Sequence, residues 1–157
     1  MPDKNVVREP GNGKVVWMLG GLYEIKVAGS ETGGALTVVE ITAPAGMGPP
    51  PHNHDGDETL YVLDGKLRYH LGDKTIDAGP GYVFHVTAGT WEYFEPLDTC
   101  RVLISYMPGG MDEFFLEAGE PAAGYELPPP PTSPPDFERL AAIGARHGLQ
   151  LRPPPEV

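Results

Sequence analysis

The sequence predicts an all-β domain, a sandwich or barrel of short strands, on three observations. Apolar runs of four to eight residues alternate with turn signals, and no long stretch of 3.6-residue periodicity precedes residue 111. Glycine and proline together (21 and 19 of 157 residues) approach a disordered composition, yet 40% of the chain is apolar and 9% aromatic. Ten of the 19 prolines lie at or after Pro121, whereas the upstream glycines mostly sit singly between β-like runs. A turn-rich β domain over residues 1–110 followed by a proline-rich tail over 111–157 satisfies all three.

In chain order the strands are expected at Val15–Leu19, Leu22–Val27, Ala35–Thr42, Thr59–Leu63, Leu67–Leu71, Lys74–Ile76, Tyr82–Val86, Trp91–Phe94 and Arg101–Met107. Asp64-Gly65 and Gly72-Asp73 separate three of them with the positive φ that tight hairpins need. Asp112–Ala118, acidic in its first turn and stopped by Gly119, reads as a short helix. Pro128–Pro131 reads as a stiff linker. Ser133-Pro134-Pro135-Asp136 then opens a second helix, Pro134 to about His147, ended by Gly148. Its Phe137, Leu140, Ala141 and Gly144 share a face that can dock on the barrel, cap its mouth or meet a second subunit. The final residues, from Leu151, are expected to be loosely held.

Charge and composition narrow the function. A net charge of −11 repels nucleic-acid backbones and anionic membrane surfaces. No apolar run approaches the roughly 20 residues that span a bilayer. The first residues lack an apolar signal segment, so a cytoplasmic location is the expectation. Cys100, alone and within an apolar run, reads as a buried small hydrophobe.

The chemistry is concentrated in the segment from Gly46 to Gly65. His52 and His54, two residues apart, project from one face of a strand. Glu58 keeps that even spacing, although Asp55-Gly56-Asp57 signals an intervening bulge or loop. Two imidazoles and a carboxylate converging inside a barrel are a ligand set for a divalent first-row metal. His85 and His70 read as facing solvent or an interface, and His147 as closing the last helix. Tyr61, Tyr69, Tyr82, Phe84, Trp91, Tyr93, Phe94 and Tyr106 read mostly as core and interface material. Strand parity favours Tyr82, Phe84 and Phe94, with Met47 at the mouth, as an apolar pocket for a planar substrate.

With Gly46, His52, His54, Glu58 and Gly65 in register, the segment resembles the first motif of the cupin family, G-x5-H-x-H-x3-E-x6-G. The leading Gly48-Pro49-Pro50-Pro51-His52 and the acidic stretch after the histidines resemble the single-domain, quercetin-dioxygenase-like group. The resemblance covers roughly residues 35–107. It implies a jelly-roll β-barrel, often a homodimer, holding a divalent ion and acting on a small molecule. The ion would be Fe, Mn or Ni before Zn or Cu.

The second motif, G-x5-P-x-G-x2-H-x3-N, departs from the pattern. Gly81 and Gly89 match, but Thr87 replaces Pro, Pro96 replaces Asn, and Glu92 stands where the family keeps its fourth ligand, a histidine. A second carboxylate would make the M²⁺ site formally neutral and favour hard Fe²⁺ or Mn²⁺ over Cu. Glu92 can instead stay unligated, act as a general base with its pKa raised by burial, or point into solvent. Three functions follow: dioxygenation of an aromatic or polyketide-like substrate, a redox-silent cyclase, isomerase or dehydratase using Glu92 or Glu58 for proton transfer, or a non-catalytic ligand-binding barrel.

Overall fold

Antiparallel strands drawn from nearly the whole chain sort into two sheets in the computed structural model, which describes residues 4–155. The strands are β1 (Lys14–Met18), β2 (Gly21–Val27), β3 (Thr37–Ala43), β4 (His52–His54), β5 (Asp57–Asp64), β6 (Leu67–Leu71), β7 (Lys74–Ala78), β8 (Val83–Val86), β9 (Glu92–Pro96) and β10 (Cys100–Met107). Helix α1 (Met111–Ala118), β11 (Glu120–Pro121), α2 (Phe137–Arg146) and β12 (Leu149–Leu151) complete the chain. The order is β11-β1-β2-β3-β10-β5-β8 in one sheet and β12-β4-β9-β6-β7 in the other. One apolar core draws on both sheets and both helices. This is the arrangement of a jelly-roll barrel, in which alternating residues of each strand face the interior.

Apart from β4, β11 and β12, the strands follow the predicted runs with shifts of one or two residues at their ends. Residues 35 and 36 fall outside β3, because the Thr32 hydroxyl accepts from the Leu36 N–H and donates to its carbonyl in a turn. Tyr82 precedes β8, its N–H donating to Gly79 in the turn around Gly81. Gly65 cannot be replaced cheaply: its φ is +79°, and a Cβ would lie 2.3 Å from the Thr99 carbonyl oxygen. Cys100 is buried as expected, and burial pushes its thiol pKa up to about 11.

The tail departs most from expectation. Helix α2 starts three residues later than predicted, because Asp136, not Ser133, is its cap, accepting from the Arg139 N–H at 3.1 Å. The face it buries is Leu140, Ile143 and Gly144, so Ile143 replaces Ala141 in the predicted stripe. The segment from Leu151 is not loose at its start. Leu149 and Leu151 pair with His54 and His52, the Arg152 N–H donates to Pro51, and its guanidinium lies 4.2 Å from the Trp91 ring centroid. No helix among the described residues is long and apolar enough to cross a membrane.

Candidate metal centre

His52 and His54 occupy alternate positions of β4 and reach the interior together. Glu92, the first residue of β9, lies directly opposite His52 in the ladder. Glu58 arrives from the other sheet, on β5 between Val86 of β8 and Tyr106 of β10. The chain crosses between sheets at Asp55-Gly56, so the convergence of Glu58 with the histidines comes from barrel closure rather than from even spacing along one strand.

One ligand atom from each of the four side chains lies within 4.8 Å of those of the other three. The His52 Nε2 to Glu92 Oε1 distance is 4.0 Å, and His54 Nε2 to Glu58 Oε2 is 3.6 Å. Glu58 and Glu92 are 2% and 3% exposed, so the solvent-facing alternative for Glu92 is not realised.

Hydrogen bonds fix which lone pairs face inward. The His52 Nδ1 lies 2.9 Å from the Pro50 carbonyl oxygen, which can only accept. Nδ1 therefore carries the proton and Nε2 presents its lone pair to the cluster. The Tyr69 hydroxyl donates to Glu92 Oε1 at 2.5 Å. Glu92 Oε2 and His54 Nε2 are buried without a hydrogen-bond partner. Unpaired buried acceptors are costly in a folded protein, and two carboxylates with two imidazole nitrogens are an oxygen-and-nitrogen donor set for a divalent ion. On these grounds the residues fit a metal.

Burial sets the charge states without an ion. It pushes His54 down to about 3, with His52 adding to the effect, so His54 is neutral at pH 7 and its contact with Glu58 is not an ion pair. Burial raises the Glu58 pKa well above its ordinary value, and the neighbouring Glu92 carboxyl raises it further. Tyr69 and Tyr106 are likewise pushed up, chiefly by burial and then by the Glu58 and Glu92 charges, and remain donors.

Linkage gives these shifts opposite signs. Between about 3 and 6.5 the unfolded chain binds a proton at His54 that the folded chain does not, so that contribution is lost as pH falls through this window. The folded Glu58 keeps its proton above 4.5, so its contribution is lost as pH rises from 4.5 through its raised pKa. A bound ion requires the deprotonated carboxylate, so metal affinity rises with pH. Thermal unfolding with chelator is expected to show an alkaline decline that saturating Mn²⁺ abolishes. The same decline with and without Mn²⁺ would remove the ion from this account.

The cavity beside the four residues has a free volume of about 50 Å³. Its walls are apolar: Tyr23, Ile41, Leu60, Phe94, Ile104 and Tyr106 from the sheets. Met111, Phe114 and Phe115 of α1, Leu140 of α2 and Leu149 and Leu151 of β12 close it. The second helix therefore caps the mouth. Of the predicted pocket residues only Phe94 is a wall. Phe84 is buried but stacks on Tyr69, 4.2 Å between ring centroids, deeper in the core. Tyr82 is half exposed at its turn, and Met47 lies over Gly20, outside the cavity. His85 is exposed and contacts Thr59. His70 is less open than expected, stacked on Tyr93 at 4.1 Å.

Tyr69 is the functional candidate that sequence reasoning left among the core aromatics. Its signal was present, since the alternation Leu67, Tyr69, Leu71 puts it inside, two positions from the residue opposite Glu92. Tyr69→Phe leaves Glu92 Oε1 without its donor and is expected to lower metal affinity about 10- to 100-fold. Calorimetric titration with Mn²⁺ checks this, and an unchanged affinity would make the hydroxyl a packing group only.

Residues 38–106 match the family model described as the cupin domain. Among solved structures, KdgF from a Halomonas species superposes with a TM-score of 0.56 at 21% identity, covering 61% of this chain and 87% of that one. An RmlC-like cupin from Shewanella frigidimarina gives 0.58 at 14%, covering 64% and 88%. Oxalate decarboxylase from Bacillus subtilis gives 0.58 at 18%, covering 69% of this chain and 32% of that chain. No curated protein matches the sequence.

Proposed function

We propose that this chain, whose residues 38–106 match the cupin-domain family model, is a metal-dependent enzyme acting on a small aromatic or polyketide-like molecule, with quercetinase-like dioxygenation as its reaction. The observation that carries this reading is the buried group His52, His54, Glu58 and Glu92, set beside an otherwise apolar cavity. The fold alone hosts many chemistries and does not choose among them.

In this reading the four side chains hold the ion, Fe²⁺ or Mn²⁺ before softer metals, because two carboxylates make the donor set hard and balance the charge. An iron or manganese ion there would mediate electron transfer from the bound substrate to oxygen. Tyr69 holds Glu92 by Oε1, which leaves Oε2 to face the ion or accept the proton of a substrate hydroxyl. The apolar walls hold a planar ring and exclude water. A free volume of about 50 Å³ is too small for a multi-ring flavonol, so such a substrate enters only as the capping tail yields.

One observation favours a second reading, a redox-silent isomerase or cyclase. Glu58, its pKa raised by burial and by the neighbouring Glu92, lies beside a second buried carboxyl in an apolar setting, a pair suited to acid–base work. Oxygen uptake with catechol- and flavonol-type substrates separates the two. Uptake that depends on a stoichiometric redox metal supports dioxygenation. Product formed without oxygen supports the acid–base reading, and tight binding without turnover of any kind would contradict both.

A further inference from the structure

Leu19 is the only non-glycine residue among those described that has a positive φ, +52°. With Gly20 (φ +78°) it forms the two-residue turn between β1 and β2, closed by the Met18–Gly21 pair. Such turns take Asn, Asp or Gly at their first position, where a leucine carries backbone strain that glycine avoids. A strained position persists where its side chain is needed.

The place that side chain occupies suggests what it is needed for. Leu19 lines the central cavity and two large outer grooves. One groove, about 700 Å³, runs past Met47 toward Pro134 and Arg139; the other, about 830 Å³, runs past Pro49 toward Pro153. Leu19 and Leu140 are the two residues common to all three walls. Both therefore stand between the cavity and the outer grooves on this flank, one from the β1–β2 hairpin and one from helix α2.

Another groove also borders the cavity, sharing His54, Tyr106 and Met111 with it, but Asp55, Asp57 and Glu113 line that approach. Its carboxylates disfavour an anionic substrate and offer an apolar one little. The Leu19–Leu140 side meets the cavity through Met18, Pro49, Pro50 and Phe94, which suit an uncharged ring, although Glu120, Asp136 and Arg139 line one outer groove and Glu95 the other.

We propose that Leu19 and Leu140 form the entry gate of the cavity, and that Leu19 is the residue that selects uncharged, ring-sized molecules by size. This rests on the reading that the cavity receives the substrate, but not on what reaction follows.

The test is the rate at which phenol, a single uncharged ring, exchanges into the full-length protein, followed by ligand NMR relaxation. Intermolecular NMR contacts to Phe94 and Ile104 place the probe in the cavity. Leu19→Gly removes both the plug and the strain, so entry and exit should each accelerate at least about tenfold with the unfolding midpoint unchanged or raised. Leu19→Phe keeps the strained backbone and enlarges the plug, so entry should slow. Entry rates that are the same in both variants, or a probe that never contacts Phe94 and Ile104, would overturn the gate. Failure of the dioxygenase reading would appear instead as absent oxygen uptake with these entry rates intact.

Discussion

Replacing Glu92 with alanine is expected to lower the affinity for a divalent ion by at least about 100-fold while leaving the barrel folded. Glu92 faces His52 across the β4–β9 ladder, and Tyr69 holds one of its oxygens while the other has no partner. The substitution therefore removes one of four donors and leaves the remaining three in place. Its effect on the metal-free protein has the opposite sign. Without Glu92, Glu58 loses the neighbour that raises its pKa after burial, and the buried cluster loses one carboxyl. The metal-free unfolding midpoint should stay level or rise. Glu92→His is the informative partner: it exchanges a carboxylate for a neutral imidazole donor and should shift preference from Mn²⁺ toward softer ions. Equal metal content and activity in Glu92→Ala and the parent would make the side chain a bystander.

Leu149→Ala is expected to destabilise the protein by about 2–5 kcal/mol, the range for a leucine truncated in a close-packed core. Leu149 is 4% exposed, pairs with His54 in the β4–β12 ladder, and forms part of the cavity wall. A tail resting loosely on a finished barrel would lose only a few tenths of a kcal/mol. Chemical denaturation measures the difference directly. The same variant should weaken metal binding, because β12 is hydrogen-bonded to the strand that carries both histidines.

The particular residues explain how far the sequence could be read. Strand parity is local: side chains two apart share a face whatever the rest of the chain does. His52 with His54 and Glu92 with Phe94 therefore share faces that the sequence already groups, while the position of Glu92 opposite the histidines came from the motif resemblance. The hairpins at Asp64-Gly65 and Gly72-Asp73 were legible for the same reason, since turn chemistry is written in adjacent residues. Tyr82 failed at a boundary, where one residue of turn before β8 turned an inward position into an exposed one.

The wall formed by Met111, Phe114, Phe115, Leu140 and Leu149 was not legible as a wall. Apolar stripes on short helices say that a face is buried, not which surface buries it. That choice belongs to tertiary packing, here fixed by β12 joining β4 more than 90 residues away along the chain. The expectation of a loose terminus missed β12 in the same region, because a chain end is held only where it finds a partner strand, here β4. Leu19 carried no alert in the sequence, since leucine is ordinary in a strand and becomes an anomaly only once its φ is known.

The central claim, that the four buried side chains bind one divalent ion, is tested most directly by metal analysis after anaerobic reconstitution. The protein is stripped with chelator, reloaded with Fe²⁺ or Mn²⁺, freed of excess ion and assayed for bound metal. About one ion per chain is expected, lost in Glu92→Ala and weakened in Tyr69→Phe. Less than about a tenth of an ion per chain for every divalent metal tried would contradict it.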